Sequence, residues 1–325
     1  MNAARADALV SAALAAANDE SCGESERAEM LMELAMRLQS RPKSPEELLA
    51  AVRLYDRALA ICPVAETLLR ARITARKATA MQAIPEEGSA LMEEARAALE
   101  SALPVLAQLG LAQEAAEARM NLGLVLQQLA GLGRARITDA IAFYQQALVA
   151  FDRIQYPAEY AILQNNLATA FLSITMSDQR AKMREALAVQ CFEDGLRAVN
   201  LIDHPSEYAM LQNNLGNALQ YASTAHAVEN NLRALQAYSE ALKVRTRATA
   251  PLEYANTLAN RANCLWNLSD DPARAEHGNP SNLAGAKADF QEAYEIYSQH
   301  GDRVKCTMVC EALLQIEREI LSLAN

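Results

Sequence analysis

The sequence is poor in the residues that build β-sheets and tight loops. Only 5% of its 325 residues are aromatic, 11 are Gly and 10 are Pro, and runs of β-branched residues are scarce. Ala and Leu, the strongest helix formers, are abundant within a hydrophobic content of 51%. This composition predicts an all-α protein and argues against a sheet-based fold.

The sequence also lacks the marks of an oxidising or membrane environment. Its six cysteines contain no CxxC motif and form no dense framework, so we expect free thiols in the cytoplasm. No run approaches the ~18–20 apolar residues that cross a bilayer. The Ala-rich start is too poor in positive charge for a signal peptide, so residues 1–23 are interpreted as a helix or a flexible end.

Positive charge is in deficit, with a formal net charge of −10 and a pI near 5.1. Binding to nucleic acid without sequence preference needs a cationic face that displaces counterions. Nucleic acid is therefore not an expected partner.

Motifs that carry chemistry are missing as well. The sequence has no phosphate-binding G-x-x-x-x-G-K-[ST], no G-x-G-x-x-G, no H-E-x-x-H and no G-x-S-x-G. Cys306, Cys310 and His300 could approach one another, but structural zinc sites normally have four ligands. We therefore predict no catalytic residue, no metal and no cofactor, and the protein is not expected to be an enzyme.

What the sequence does contain is a repeat. The segment 205–216 reads PSEYAMLQNNLG, segment 157–168 reads PAEYAILQNNLA, and segment 251–262 reads PLEYANTLANRA. The Glu-Tyr pairs of these segments are 48 and then 46 residues apart. Self-similarity with a period of 20–50 residues is typical of stacked-repeat proteins.

A second marker follows each of these segments and extends the repeat in both directions. It places a small residue, a large residue four positions later and a small residue three positions after that, all on one helical face. The six copies are Ala51/Tyr55/Ala58, Ala95/Leu99/Ala102, Ala140/Tyr144/Ala147, Ala188/Phe192/Gly195, Ala234/Tyr238/Ala241 and Ala286/Phe290/Ala293. Each repeat is therefore predicted to be a helical hairpin, with a helix A followed by a helix B.

Helix A has a small residue at its tenth position, counted from its Glu. The predicted series is Ala35, Ala75, Gly123, Ala168, Gly216 and Ala262. The repeats are predicted to span about 24–62, 63–109, 110–155, 156–203, 204–249 and 250–300. Residues 301–325 are predicted to cap the stack with a helix whose outer face is polar.

These residues resemble the tetratricopeptide repeat (TPR), in which helix A carries Leu-Gly and helix B an Ala, Tyr or Phe, Ala series. Leu215-Gly216 with Ala234, Tyr238 and Ala241 take those roles here, and the resemblance covers about residues 24–325. The spacing of 44 to 52 residues between helix-B alanines exceeds the usual 34 and is similar to the long repeats of kinesin light chains, which bind cargo peptides. Arg261 and Thr74 depart from the pattern, because Leu is expected in their place.

The resemblance implies a right-handed superhelical solenoid of about six hairpins whose concave wall consists of the A helices. Eight asparagines fall on or beside one slot of that wall: Asn121, Asn166, Asn214 and Asn260 in the slot, with Asn165, Asn213, Asn217 and Asn263 nearby. Side-chain amides offer two donors and two acceptors, so they can hold the backbone of an extended peptide. The alternative is that they satisfy loop carbonyls or one another between helices.

Apolar side chains of the same wall are Met120, Met210 and Trp266, which are candidates for adaptable partner-binding pockets or for buried core. Arg72 and Arg76 are the only cations of the wall that could clamp an acidic C-terminal tail, so such a ligand is not expected. The connections between helices A and B, at 130–136, 177–184 and 269–281, are a second candidate contact edge, with solvated loops as the alternative.

Three functions follow as hypotheses. The first is a scaffold or adaptor that binds an extended segment of a partner protein in the concave groove. The second is a structural protein that self-associates through its convex or terminal surfaces. The third is a regulatory protein that senses a peptide and acts through another protein, since no DNA-binding helix-turn-helix is evident outside the repeats.

Overall fold

The structure, a computed structural model, describes residues 2–17, 22–40, 42–85, 88–174, 179–222, 226–271 and 278–323. Within these ranges the regular secondary structure is helical throughout, which confirms the predicted all-α class. The fourteen helices of the described residues are α1 (Asn2–Ala16), α2 (Glu24–Ser40), α3 (Pro45–Ile61), α4 (Thr67–Gln82), α5 (Ala90–Leu109), α6 (Ala112–Gly131), α7 (Ile137–Ala147), α8 (Pro157–Ser173), α9 (Gln179–Leu196), α10 (Pro205–Gln220), α11 (Ala227–Leu242), α12 (Pro251–Trp266), α13 (Pro280–Gln299) and α14 (Arg303–Leu323).

The helices from α2 to α13 pair in sequence order into six hairpins, as predicted, and α14 packs against α13. The chain divides into two compact units, residues 1–152 with α1–α7 and residues 153–325 with α8–α14. In the first unit α1 packs on α3 and buries Val10 and Ala13. A single superhelical domain over 24–325, with the repeat limits given above, stays a prediction.

Prolines start several helices because a proline at the first helical position loses no needed hydrogen bond. Pro157, Pro205 and Pro251 are the first residues of α8, α10 and α12, as predicted. The Glu of each Glu-Tyr pair, two residues later, lies in the first turn, where the positive end of the helix dipole stabilises it.

The helix-B marker forms the core of each hairpin. All eighteen of its residues are buried. The small residue of helix A lies against the large residue of helix B: a Cβ placed on Gly123 would be 2.6 Å from a ring carbon of Tyr144, and one on Gly216 would be 2.6 Å from a ring carbon of Tyr238. The Gly residues therefore permit a helix approach that even alanine would obstruct.

The second hairpin differs from its predicted alignment by three residues. Ala75 is half-buried, whereas Ala78 is fully buried, so Ala78 is the small residue of α4. The reason is that Glu66, on which the alignment relied, precedes the helix as its N-cap, while the other A helices from α6 onward have their Glu in the first turn. The Leu position of α4 is consequently Lys77 and not Thr74.

Two A helices thus carry a cation in the Leu position, and both cations pair with acids. Lys77 Nζ lies 2.8 Å from an oxygen of Asp56 and 3.2 Å from one of Glu94. Arg261 binds the buried Asp289 through two hydrogen bonds of 2.7 Å, and these bonds raise the pKa of Arg261. The ion pairs explain how a charged side chain can replace leucine beside the core.

Buried tyrosines of helix B donate to a glutamine at the end of helix A. The hydroxyl-to-Oε1 distances are 2.8 Å for Tyr55 and Gln39, 2.9 Å for Tyr144 and Gln127, and 2.8 Å for Tyr238 and Gln220. Where helix B has Phe192 or Phe290, the glutamine position holds Leu172 or Trp266. The hairpin α4/α5, with Gln82 and Leu99, is the exception. Polar and apolar partners therefore match within five of the six hairpins.

The outer face of α14 is mixed, which differs from the polar face that the sequence predicts. Val309 and Ile316 are buried on its inner side. Other large apolar side chains of α14 are exposed: Val304 (72%), Met308 (64%), Leu314 (51%) and Leu321 (65%). Charged residues such as Arg318 and Glu319 lie among them.

Candidate functional site: an amide-lined cleft in the second unit

Five asparagines of α8, α10 and α12 form a continuous chain of hydrogen bonds, which we call the amide chain. Asn260 Nδ2 donates to Asn213 Oδ1 (3.3 Å), Asn213 Nδ2 to Asn214 Oδ1 (3.0 Å), Asn214 Nδ2 to Asn165 Oδ1 (2.8 Å), and Asn165 Nδ2 to Asn166 Oδ1 (3.3 Å). The chain ties three successive A helices together, so the predicted column of amides does satisfy itself between helices.

Burial divides the amide chain into two parts. Asn165, Asn166 and Asn213 are each less than 9% exposed, while Asn214 and Asn260 are half-buried. The hydrogen bonds of the chain use one N–H of each donating amide, and an asparagine has two. The half-buried members therefore retain donor capacity at the surface of the A-helix wall.

Beside the amide chain lies a cleft of about 480 Å³, bounded by α10, α12, α13 and α14. Its amide side consists of Asn213, Asn217, Asn256, Asn260 and Asn263. Four of these were predicted from the sequence. Residues 256, 260 and 263 are four and three positions apart, which places them on one face of α12.

The opposite side of the cleft is mostly apolar. It is formed by Phe290 and Tyr297 of α13 and by Met308 and Val309 of α14, with one cation, Lys305. Residues 305, 308, 309 and 312 of α14 form a stripe at helical spacing. The cleft therefore combines hydrogen-bonding groups on one wall with apolar surface on the other.

Asn256 is held by two neighbours in the cleft. Tyr297 donates its hydroxyl to Asn256 Oδ1 (2.7 Å), and Lys305 Nζ donates to the same oxygen (2.9 Å). The ammonium group also lies 5.3 Å from the centroid of the Tyr297 ring and 3.6 Å from an Asp302 oxygen. Burial raises the pKa of Tyr297, so its hydroxyl stays protonated as a donor.

Sequence reasoning missed Asn256, although a signal was present. It occupies the position in α12 that Ile162 and Met210 occupy in α8 and α10, three residues after the Glu. Comparing that position across repeats would have shown a change from apolar to amide in the last hairpin.

Other predicted residues lie outside the cleft. Trp266 packs on the core of α12–α14 and donates its indole N–H to Glu319 Oε2 (2.8 Å). Met210 is half-buried on α10. Asn217, which does line the cleft, has its Oδ1 2.7 Å from the Tyr238 hydroxyl oxygen, so it shares that single donor with Gln220.

In the first unit the corresponding wall is ionic. Arg72 Nε donates to Glu114 Oε1 (2.6 Å) and Arg76 Nη2 to Glu117 Oε2 (3.0 Å), around a cavity of only about 30 Å³. Both guanidinium groups are thus bound to carboxylates of the chain itself. Asn121 borders this cavity and donates to Thr79 Oγ1 at 3.2 Å; Met120, beside it, is half-buried.

The predicted contact edge of A–B connections is only partly visible, because residues 175–178 and 272–277, with His277, lie outside the described ranges. The connection after α6 turns at Gly133, which has φ +71°.

In the part of the chain that the structure describes, no group of three or more His, Cys, Asp or Glu could hold a metal ion. His300 Nδ1 lies 2.9 Å from the Ile296 carbonyl oxygen. None of the helices described has the length and apolar character of a membrane span.

No protein-family model matches the chain, and no curated protein matches it significantly. Among solved structures, a thermophilic TPR protein of Thermus thermophilus is 17% identical and covers 75% of this chain and 99% of its own, with a TM-score of 0.49. Rap protein complexed with competence and sporulation factor is 12% identical and covers 92% of this chain and 81% of its own, with a TM-score of 0.47. The TPR2AB domain of yeast Sti1, from a pHSP90 complex, is 13% identical and covers 88% of this chain and 99% of its own, with a TM-score of 0.27. At these identities and TM-scores the similarity says nothing about a ligand. The six hairpins bury the small, large, small series on which the resemblance to the TPR rests.

Proposed function

We propose that this protein is an interaction scaffold or adaptor that binds an extended peptide segment of a partner protein along its A helices. The observation that carries the proposal is the cleft of about 480 Å³ in which five asparagines face an apolar wall. Ligand sites are typically clefts of about 300–1,000 Å³ that combine apolar lining with a few placed polar groups. No disulfide joins the cysteines that the structure describes, which fits the proposed cytoplasmic location.

The chemistry of the two walls suits a main chain and its side chains separately. Amide groups can donate to and accept from peptide groups without reading side-chain identity. The apolar wall, with the adaptable side chain of Met308, can take one side chain of the bound segment. Asparagine costs roughly half a kcal/mol against alanine in a helix interior, and the amide chain supplies part of the compensation for the asparagines of α10 and α12.

Within this proposal the predicted asparagines have two roles. Asn217, Asn260 and Asn263 contact the segment directly. Asn165, Asn166, Asn213 and Asn214 form the amide chain on α8 and α10 and hold the direct contacts in place. The roles of Asn121 and Met120 in the first unit, and of Met210 and Trp266 as apolar contacts, remain part of the proposal.

The experiment first selects binding peptides from a random display library on the purified chain. The most enriched peptide is then labelled with fluorescein, and its affinity is measured by fluorescence polarisation. The N260A/N263A variant should bind it at least tenfold more weakly. Q291A/Q315A is the matched control, because both glutamines are exposed amides outside the cleft. Equal affinity for wild type and N260A/N263A, or no peptide enriched above background, would sink the proposal.

Self-association is a second candidate, favoured by the exposed apolar residues of α14. Exposed apolar patches on a terminal element often mark contact surfaces. Light scattering over a hundredfold range of concentration should then show a mass that rises with concentration, and L314E/L321E should abolish the rise. A mass equal to one chain at every concentration would eliminate this candidate.

A further inference from the structure

Asn256 distinguishes the last hairpin from the two before it. The same position holds Ile162 in α8 and Met210 in α10, and neither side chain can donate a hydrogen bond. Asn256 is half-buried, lines the cleft and lies one helical turn before Asn260. The cleft therefore has an additional amide at its α14 end, where the two preceding A helices have an apolar side chain.

The orientation of the Asn256 amide follows from its neighbours. An ammonium group has three donors and no acceptor, so the amide atom 2.9 Å from Lys305 Nζ must be the oxygen. The Tyr297 hydroxyl reaches the same atom at 2.7 Å. With two donors on the oxygen, a flip of the amide would place its N–H groups against the ammonium group. The nitrogen is therefore held on the side away from both donors.

We infer that Asn256 is a ligand-binding residue whose amide nitrogen donates to carbonyl oxygens of the bound segment, and that Tyr297 and Lys305 are its positioning residues. This inference rests on the proposed function and adds the residue that orients the segment at the α14 end of the cleft. Two hydrogen bonds that polarise the Asn256 carbonyl also make its N–H groups better donors.

Lys305 acts through the amide in this arrangement. Its ammonium group has Asn256 Oδ1 at 2.9 Å, Asp302 at 3.6 Å and the face of the Tyr297 ring at 5.3 Å. The Lys305 side chain remains 42% exposed beside these contacts. A direct contact of Lys305 with a carboxylate of the ligand is the competing arrangement, and the experiment separates the two.

The principal test is N256D, measured with the display-selected peptide described above. Aspartate has the shape of asparagine and can accept from Tyr297 and Lys305, but its carboxylate has no N–H to donate. We expect at least a tenfold loss of affinity, and less than a twofold loss in Q291E, which makes the same chemical change on an exposed side of α13. Thermal unfolding by circular dichroism identifies any variant that fails to fold, and N256A replaces N256D in that case.

Positioning is tested by a double-mutant cycle. Y297F should weaken binding about threefold to tenfold in the wild-type background and by less than twofold in N256A, because the hydroxyl acts through the amide. Equal losses in both backgrounds would overturn the positioning role. For Lys305, K305M should weaken peptides with and without acidic residues alike; a loss confined to acidic peptides would show the competing carboxylate contact.

The outcomes for the two proposals differ. A peptide that binds wild type and N256D equally, yet loses affinity with N260A/N263A, overturns the Asn256 assignment and leaves the proposed function standing. If no peptide is enriched on the wild type, the proposed function fails and the assignment fails with it.

Discussion

The A helices of the first unit are linked to one another by different chemistry from the A helices of the second unit. Between α4 and α6 the link is ionic, Arg72 to Glu114 and Arg76 to Glu117, around a cavity of about 30 Å³. Between α10 and α12 the link is the amide chain, beside a cleft of about 480 Å³. With the corrected alignment of α4, Arg76 occupies the position of Asn214.

The difference teaches how one repeat can serve two purposes. An arginine is long enough to cross to the next helix, and its bidentate pairing with a glutamate uses the polar groups of both side chains. The asparagines of α10 and α12 cross by bonding a second asparagine, and they keep unused hydrogen-bonding capacity. Under the proposed function, the amide wall is the one that keeps hydrogen-bonding groups for a partner.

The largest loss of stability is expected from changing a packing feature that both units share. In both, a Gly of helix A lies under a buried tyrosine, so G123A and G216A should each destabilise their hairpins by about 1–3 kcal/mol through overpacking. Hydrogen exchange of α6 and α10 amides would measure it. The matched control is G285A, whose added Cβ would lie 3.4 Å from its nearest neighbour and which should be neutral or stabilising. A neutral G216A would contradict the packing described here.

The pH dependence of the two walls should differ. Burial alone would raise the pKa of Glu114, but hydrogen bonds from Arg72 and the Leu111 N–H outweigh it and hold that pKa below its usual range. A depressed pKa stabilises the fold above the unfolded value of about 4.3, and this contribution is lost as pH falls through the folded value. The effect of R72M on the stability of α6 should thus be about 1 kcal/mol at pH 7, since the pair is partly exposed, and shrink below about pH 4.

The amide wall provides the contrast. N214A leaves the buried Asn165 oxygen without its donor and should cost about 1–2 kcal/mol in α10. Because amides do not titrate, that loss should be equal at pH 7 and pH 3.5 by hydrogen exchange. An R72M effect that persists unchanged at pH 3.5, or an N214A effect that vanishes there, would break the comparison.

The smallest expected difference concerns the tyrosine hydroxyls. The Tyr238 hydroxyl has one hydrogen to donate and two acceptors within reach, Asn217 and Gln220, whereas Tyr144 has Gln127. Y238F and Y144F therefore each remove one donated hydrogen bond and should destabilise their hairpins by the same amount, about 0.5–1.5 kcal/mol. Local stabilities from hydrogen exchange of α11 and α7 would check it, and a clearly larger cost of Y238F would mean that both acceptors depend on the hydroxyl.

Local patterns were enough to predict the hairpins, because each depends on residues close in sequence. The helix-B marker and the prolines at the starts of α8, α10 and α12 needed no tertiary information. The alignment of α4 failed because no proline marks its start and Glu66 stands one residue before it. The error of three residues then misplaced Thr74 in the Leu position.

The site was harder to predict, because it depends on how far one helix stands from the next. Nothing in the sequence distinguishes Asn213, which is buried in the amide chain, from Asn217, whose neighbour is a tyrosine hydroxyl. The opening between α12 and α14 arises from long-range packing, and Lys305 reaches Asn256 across 49 residues of sequence. Of the features of the cleft, only the change from Ile162 and Met210 to Asn256 could have been predicted from the sequence.

The matched tyrosine and glutamine of a hairpin have a consequence for how such a protein can be recombined. Exchanging helix A of α10/α11 with helix A of α8/α9 would place Leu172 under Tyr238 and Gln220 over Phe192, leaving a hydroxyl and an amide without their bond. Duplication or grafting of a whole hairpin keeps both partners together. The hairpin, and not the single helix, is therefore the unit in which this chain can be shortened, lengthened or shuffled.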